Sequence, residues 1–193
     1  LEAVQATFRE LGIERERIPL IVAGGIHTHE QMVELLALGA SAVQLGTAFA
    51  VTEEGDAHPD FKKVLAEAKP EDIVTFTSVA GLPARAVATP WLKNYLRREA
   101  KLQANAKDDP RRCVPGFECL TVCGLRNGIA KFGQFCIERR LADALKGDIK
   151  KGLFFRGSEQ LPFGSAIRPV EDLINYLLNG WDPAGPGRPA PQP

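Results

Sequence analysis

The sequence predicts an α/β fold: the C-terminal part of a TIM (β/α)8 barrel carrying a mostly helical inserted second domain. Three observations predict it. The apolar run Ile18-Pro19-Leu20-Ile21-Val22-Ala23 closes on Gly24-Gly25-Ile26. A second run, Ala42-Val43-Gln44-Leu45, closes on Gly46-Thr47, with a helical pattern between the two. That is a βαβ unit, because parallel neighbours need a crossover where antiparallel ones need only a turn. Third, a long stretch of different character separates this unit from a last amphipathic helix, as an insertion over the barrel mouth would.

The elements follow in order. Glu2 to Leu11 reads as a helix ended by Gly12. The strand Ile18–Ala23 tolerates Pro19 because it lies near the first position. Thr28-His29-Glu30-Gln31 has the capping-box form, with Met32, Leu35 and Leu36 as the buried stripe and Gly39 as the stop. The short buried strand Ala42–Leu45 comes next, then a polar turn at Glu53-Glu54-Gly55-Asp56. Phe61 to Ala68 is helical and stops before Pro70. Ile73 to Val79 is β-branched and alternating, an exposed-edge strand. Thr89 caps a helix with Pro90 at its first position, running to about Ala104 and burying Leu92, Tyr95, Leu96 and Leu102. A polar loop from Lys107 to Pro115 precedes the cysteine segment. A helix spans Ile137 to Leu145 and ends at Gly147; Leu153-Phe154-Phe155 is a brief apolar piece. Pro169 opens the last helix, with Val170, Leu173, Ile174, Leu177 and Leu178 on one face. The tail from Asp182, rich in Pro and Gly, reads as disordered.

Composition narrows the function classes. The 193 residues carry 24 Lys and Arg against 24 Asp and Glu, so nucleic acid and anionic membrane are not expected as main partners. No apolar run reaches the length of a membrane helix, and the opening Leu1-Glu2-Ala3-Val4 has no signal-peptide pattern. The expected setting is cytoplasmic. The chain begins inside an amphipathic helix, and the expectation is the C-terminal portion of a longer protein. All four cysteines, Cys113, Cys119, Cys123 and Cys136, fall in one segment with five, three and twelve intervening residues. Thiolates so close can bind an iron–sulfur cluster or zinc, although the spacing is neither the common ribbon nor the ferredoxin form. Reduced core or surface thiols are the alternative.

The paired turns are the main functional signal. Glycine at consecutive strand ends lets backbone N–H groups reach a phosphate with no Cβ in the way. The expected donors are Gly24, Gly25, Gly46 and Thr47, whose hydroxyl adds one more, with Gln44 nearby. The helix starting at Thr28 adds partial positive charge. His27 and His29 flank the cap and read as a polar helix entry; His58, beside Pro59, reads as solvated. Ser165 either caps the final helix with Arg168 near it or lines the ligand pocket.

The run Ile18 to Ile26, with Gly39-Ala40-Ser41-Ala42-Val43-Gln44-Leu45-Gly46-Thr47, resembles the end of an FMN-dependent barrel; inosine monophosphate dehydrogenase has a related pair of turns. Val79 to Arg85, Gly152 to Ser158 and Leu161 to Val170 are more specific, and resemble the C-terminal half of the nitronate monooxygenase family over residues 1 to about 180. The resemblance implies FMN held at the two turns, and oxidation of an alkyl nitronate by the flavin with electrons passed to molecular oxygen. It implies a small-molecule substrate, and a catalytic residue upstream of residue 1, leaving the three histidines here without that role. Residues 1–60 would be the last βα units of the FMN barrel and 61–150 a lid-like insertion with the cysteine segment. Residues 151–181 would return to the barrel, and 182–193 would be the tail. The rival readings are a flavin-dependent enoyl-acyl carrier protein reductase using NAD(P)H, and a metal-binding electron-relay or interaction module on a barrel scaffold. Oligomeric state is left open.

Overall fold

The computed structural model describes residues 1–14, 17–114, 119–157 and 160–181. In chain order its elements are α1 (Glu2–Glu10), β1 (Ile21–Ala23), α2 (His29–Ala37), β2 (Ala42–Gln44), α3 (Thr47–Ala50), α4 (Pro59–Glu67), β3 (Ile73–Thr77), β4 (Pro83–Val87), α5 (Pro90–Ala104), α6 (Ile137–Leu145) and α7 (Val170–Asn179). The chain is α/β and divides into two units. One is Leu1–Gly55 with Glu159–Pro193, the other Asp56–Ser158. The expected tail, 182–193, lies outside the described residues. No helix among the described residues is long and apolar enough to cross a membrane.

In the first unit β1 and β2 are parallel, with Ile21 opposite Ala42, Val22 opposite Val43 and Ala23 opposite Gln44. The crossover helix α2 starts where the sequence places it. Thr28 Oγ1 accepts the Gln31 N–H at 3.2 Å, and Gln31 Oε1 accepts the Thr28 N–H at 3.2 Å. Two expectations are corrected. β1 begins at Ile21 rather than Ile18, since Pro19 has no N–H to give a ladder. Leu20 instead exchanges bonds with Ser41, its N–H going to Ser41 Oγ at 3.2 Å and its carbonyl accepting the Ser41 N–H at 2.8 Å. Nor are the strands buried. Only their central valines are half-buried; the flanking residues are exposed, Ile21 by 62%. The alternation of a strand explains this, because only one face meets helices. Val43 packs with the buried set Met32, Ala48, Leu173 and Leu177, while Ala42 and Gln44 point the other way. For the same reason Met32 alone is buried on α2, and Leu36 is exposed. On α7, Leu173 and Leu177 are buried while Ile174 and Leu178 are exposed.

The second unit has a core of its own. Phe76, Val79, Ala86, Leu92, Tyr95, Leu125, Phe135 and Leu153 are all buried. The strand expected over Ile73–Val79 ends at Thr77 and pairs antiparallel with β4, from Ile73 opposite Val87 to Thr77 opposite Pro83. β4 carries little strand signal in the sequence, since Pro83, Ala84 and Ala86 are residue types depleted in strands. Pro83 is admitted because it takes the first position. Ala86 forms a further bridge to Phe155, which gives the apolar piece Leu153–Phe155 its place beside the hairpin. Thr89 stands at the N-cap position of α5, but its hydroxyl donates to the Gly152 carbonyl at 3.3 Å instead of capping. His58 is exposed, as expected, and also caps α4: its Nδ1 accepts the Asp60 N–H at 3.1 Å.

Candidate functional site

β1 and β2 end side by side, so the turns that follow them are neighbours. Gly24 and Gly25 have φ of 91° and 72°, a region where a side chain is strained, so the backbone itself demands glycine there. Gly46 differs. Its φ of −108° suits any residue. A Cβ built on Gly46 meets no atom within 4 Å, and the same holds at Gly24. Neither a positive φ nor packing among the described residues requires glycine at 46. The amides of Gly25 and Gly46 donate to no acceptor among the described residues. Thr47 opens α3, so its N–H lies outside the helical ladder. Gln44 is exposed on the strand face away from the helices.

A hydrogen-bonded network holds the first turn. Gln31 Oε1 accepts from both the His27 N–H, at 2.9 Å, and the Thr28 N–H. His27 Nδ1 donates to the Gly25 carbonyl at 3.2 Å. His29 Nδ1 donates to the Leu177 carbonyl at 2.7 Å and so ties α2 to α7. Gly180 ends α7 at φ 66°, where a Cβ would sit 3.0 Å from the His29 ring. The carboxyl of Glu30 is held below the usual range by its own backbone N–H and by the Thr28 hydroxyl. The reading of the capping box gave Gln31 its place; its second bond, to His27, needed the turn geometry. The arrangement supplies amide and hydroxyl donors to an anion. Beside it, between β2, α3 and α7, an open cleft of about 370 Å³ is lined by Met32, Val43, Gln44, Leu45, Phe49 and Leu177, among others.

Ser165 is exposed in the turn before α7. It does not cap that helix, contrary to one of the two readings. The N-cap is Pro169, and the Val170 N–H is taken by Glu54 Oε2 at 2.8 Å. Glu54 had no sequence signal, since its partner is 116 residues away.

Among the described residues no three His, Cys, Asp or Glu side chains form a group that could hold a metal ion. Cys123 is buried within the apolar core of its unit and Cys136 packs against that core. Burial first, and then the neighbouring thiols Cys123, Cys113 and Cys136, push the Cys119 thiol up. Among the described residues none of the four is in a disulfide.

A family model described as nitronate monooxygenase matches residues 2–180. A probable nitronate monooxygenase of Bacillus subtilis (strain 168) is 37% identical over 76 residues, covering 39% of this chain and 22% of the relative. Among solved structures, FabK from Thermotoga maritima superposes with a TM-score of 0.60 at 29% identity, over 83% of this chain and 43% of that one. A nitroalkane oxidase from Streptomyces ansochromogenes gives 0.52 at 25% identity, over 83% and 38%. The chain therefore spans less than half the length of each of these proteins.

Proposed function

Because the chain belongs to the nitronate monooxygenase family, we propose that the protein containing it is an FMN-dependent oxidoreductase that oxidises alkyl nitronates with molecular oxygen. In this reading β1, α2, β2 and α7 are the closing units of a (β/α)8 barrel. Residues 61–150 are a lid-like insertion, a reading supported by a compact unit, 56–158, that interrupts the other unit along the sequence. Gly24, Gly25, Gly46 and Thr47 hold the FMN phosphate. Gln44, on the face away from the helices, contacts the cofactor, and Ser165 lines the pocket. Bound there, FMN supplies the two-electron exchange between nitronate and oxygen. The catalytic residue comes from outside these 193 residues. The histidines here are otherwise engaged: His27 on Gly25, His29 on Leu177 and His58 as the cap of α4. The expected setting is the cytoplasm.

The observation that carries this reading is Gly46, a glycine that neither the conformation nor the packing of the chain requires. Gly46→Val in the full-length protein should lower the flavin content of purified enzyme, with the fold retained. The branched side chain would fill the space of a phosphate oxygen and shield the amide. Full flavin occupancy in that variant would remove the phosphate assignment. The similarity to FabK supports a second reading, a flavin-dependent enoyl-acyl carrier protein reductase. Oxygen uptake with a nitronate, against NADH oxidation with an enoyl thioester, separates the two.

A further inference from the structure

The zero net charge of the chain conceals two unlike units. Residues 56–158 carry 19 Lys and Arg against 12 Asp and Glu, and the remaining residues carry 5 against 12. Much of the excess lies on α5. Lys93, Arg97, Arg98 and Lys101 are all exposed, and none makes a side-chain hydrogen bond or ion pair among the described residues. Glu99 is the one acidic residue of the helix, and it accepts from the Tyr95 hydroxyl. Lys93, Arg97 and Lys101 recur every fourth residue and so form one line about 12 Å long. Like charges at that spacing weaken a helix, and Lys93 stands near the N-terminal end, where the dipole opposes a cation. The opposite face of α5 is fixed in the core by Leu92 and Tyr95, so the line points outward. A feature that costs stability and serves no contact within the chain points to a contact outside it.

We propose that the Lys93–Arg97–Lys101 line of α5 docks an acidic protein, recognised through a helix that presents carboxylates at the same four-residue spacing. The line sits on a convex helix surface, which suits a macromolecular partner better than a small anion. Among the large exposed apolar residues none lies on α5, so the line lacks the anchor that a membrane-surface helix needs. A long nucleic acid would be opposed by the acidic excess of the rest of the chain. An acidic helix needs only the line itself, and such contacts act mainly through the rate of encounter and fade with salt.

The test uses the full-length protein and a fluorescein-labelled alanine-based helical peptide with glutamate at every fourth position. Its glutamine counterpart, a short DNA duplex and phosphatidylglycerol vesicles serve as competing probes. At low salt the glutamate peptide should bind, and K93E/R97E/K101E should weaken it about tenfold or more. Reversing three equally exposed cations elsewhere in the unit, as K131E/K146E/K150E, should change it less than about twofold. K93Q/R97Q/K101Q, which keeps a helix-compatible surface, should show the same loss in direction. Equal loss from both reversals would reduce the effect to net charge and overturn the proposal. So would tighter binding of the duplex, the vesicles or the glutamine peptide, or no binding of the glutamate peptide at low salt.

Discussion

Tyr95 shows how one buried polar residue organises its surroundings. Its hydroxyl donates to Glu99 Oε1 at 3.2 Å and accepts the Gln134 N–H at 3.0 Å. Gln134, itself buried, sends Nε2 to the carbonyls of Gly124, Ile129 and Phe132 and so folds the loop around it. Burial pushes the Tyr95 phenol up to about 12, outweighing the bond from Gln134. Unfolded, the phenol ionises near ~10. The folded state therefore holds this proton longer. The stability that goes with it is complete below about pH 10 and is lost as pH rises through about 12. Tyr95→Phe leaves the Gln134 N–H buried without its acceptor, at a cost of about 1–3 kcal/mol. Denaturant unfolding at neutral pH should show that loss, and an alkaline series should show a flatter decline in the variant. A midpoint equal to that of the parent protein would mean the bond adds nothing.

At the scale of elements, α5 is the clearest case of a helix whose faces have separate tasks. Leu92 is fully buried against the hairpin core, and Trp91 stacks on Tyr95 with ring centroids 5.6 Å apart. Trp91 and Tyr95 each meet Phe135 edge-on. Leu92→Ala should destabilise the second unit by about 2–5 kcal/mol, the usual cost of a cavity in a packed core. Leu178→Ala on α7 removes the same atoms from an exposed site and should shift the isolated chain by less than about 0.5 kcal/mol. Chemical denaturation of the two variants compares them directly. Equal losses would show that α7 is covered as well as α5.

At the scale of the molecule, the two units differ in how much apolar surface they leave open. The first unit exposes Ile21, Leu178 and Leu11 by 60% or more, along with Leu36, Leu38 and Ile174. Its parallel sheet has two strands and hence unpaired edges among the described residues. The second unit closes on Leu153 and Phe154, both fully buried. Residues 1–193 expressed alone should therefore yield, on limited proteolysis, a resistant fragment near 56–158 while the flanking segments are digested. They should take up no oxygen with a nitronate even with FMN in excess, whereas the full-length protein should resist digestion across these segments and take up oxygen. Protease resistance of the whole 193-residue chain together with turnover would place the catalytic residue within it.

What the sequence determined by itself is local. The capping box fixed the start of α2, Pro90 the start of α5, and the glycine-ended apolar runs fixed the parallel pair, because each of these depends on residues a few positions apart. The family resemblance, carried by linear motifs, was legible for the same reason. Tertiary structure decided the rest. β4 forms despite Pro83 because a partner strand and Phe155 receive it. Glu54, not Ser165, meets the first N–H of α7 because the fold brings together segments 116 residues apart. The four cysteines share a stretch of sequence, and it is the fold that sets Cys123 and Cys136 in and against one apolar core. Spacing along the chain limits which side chains can meet, but the packing of the elements between them selects the ones that do.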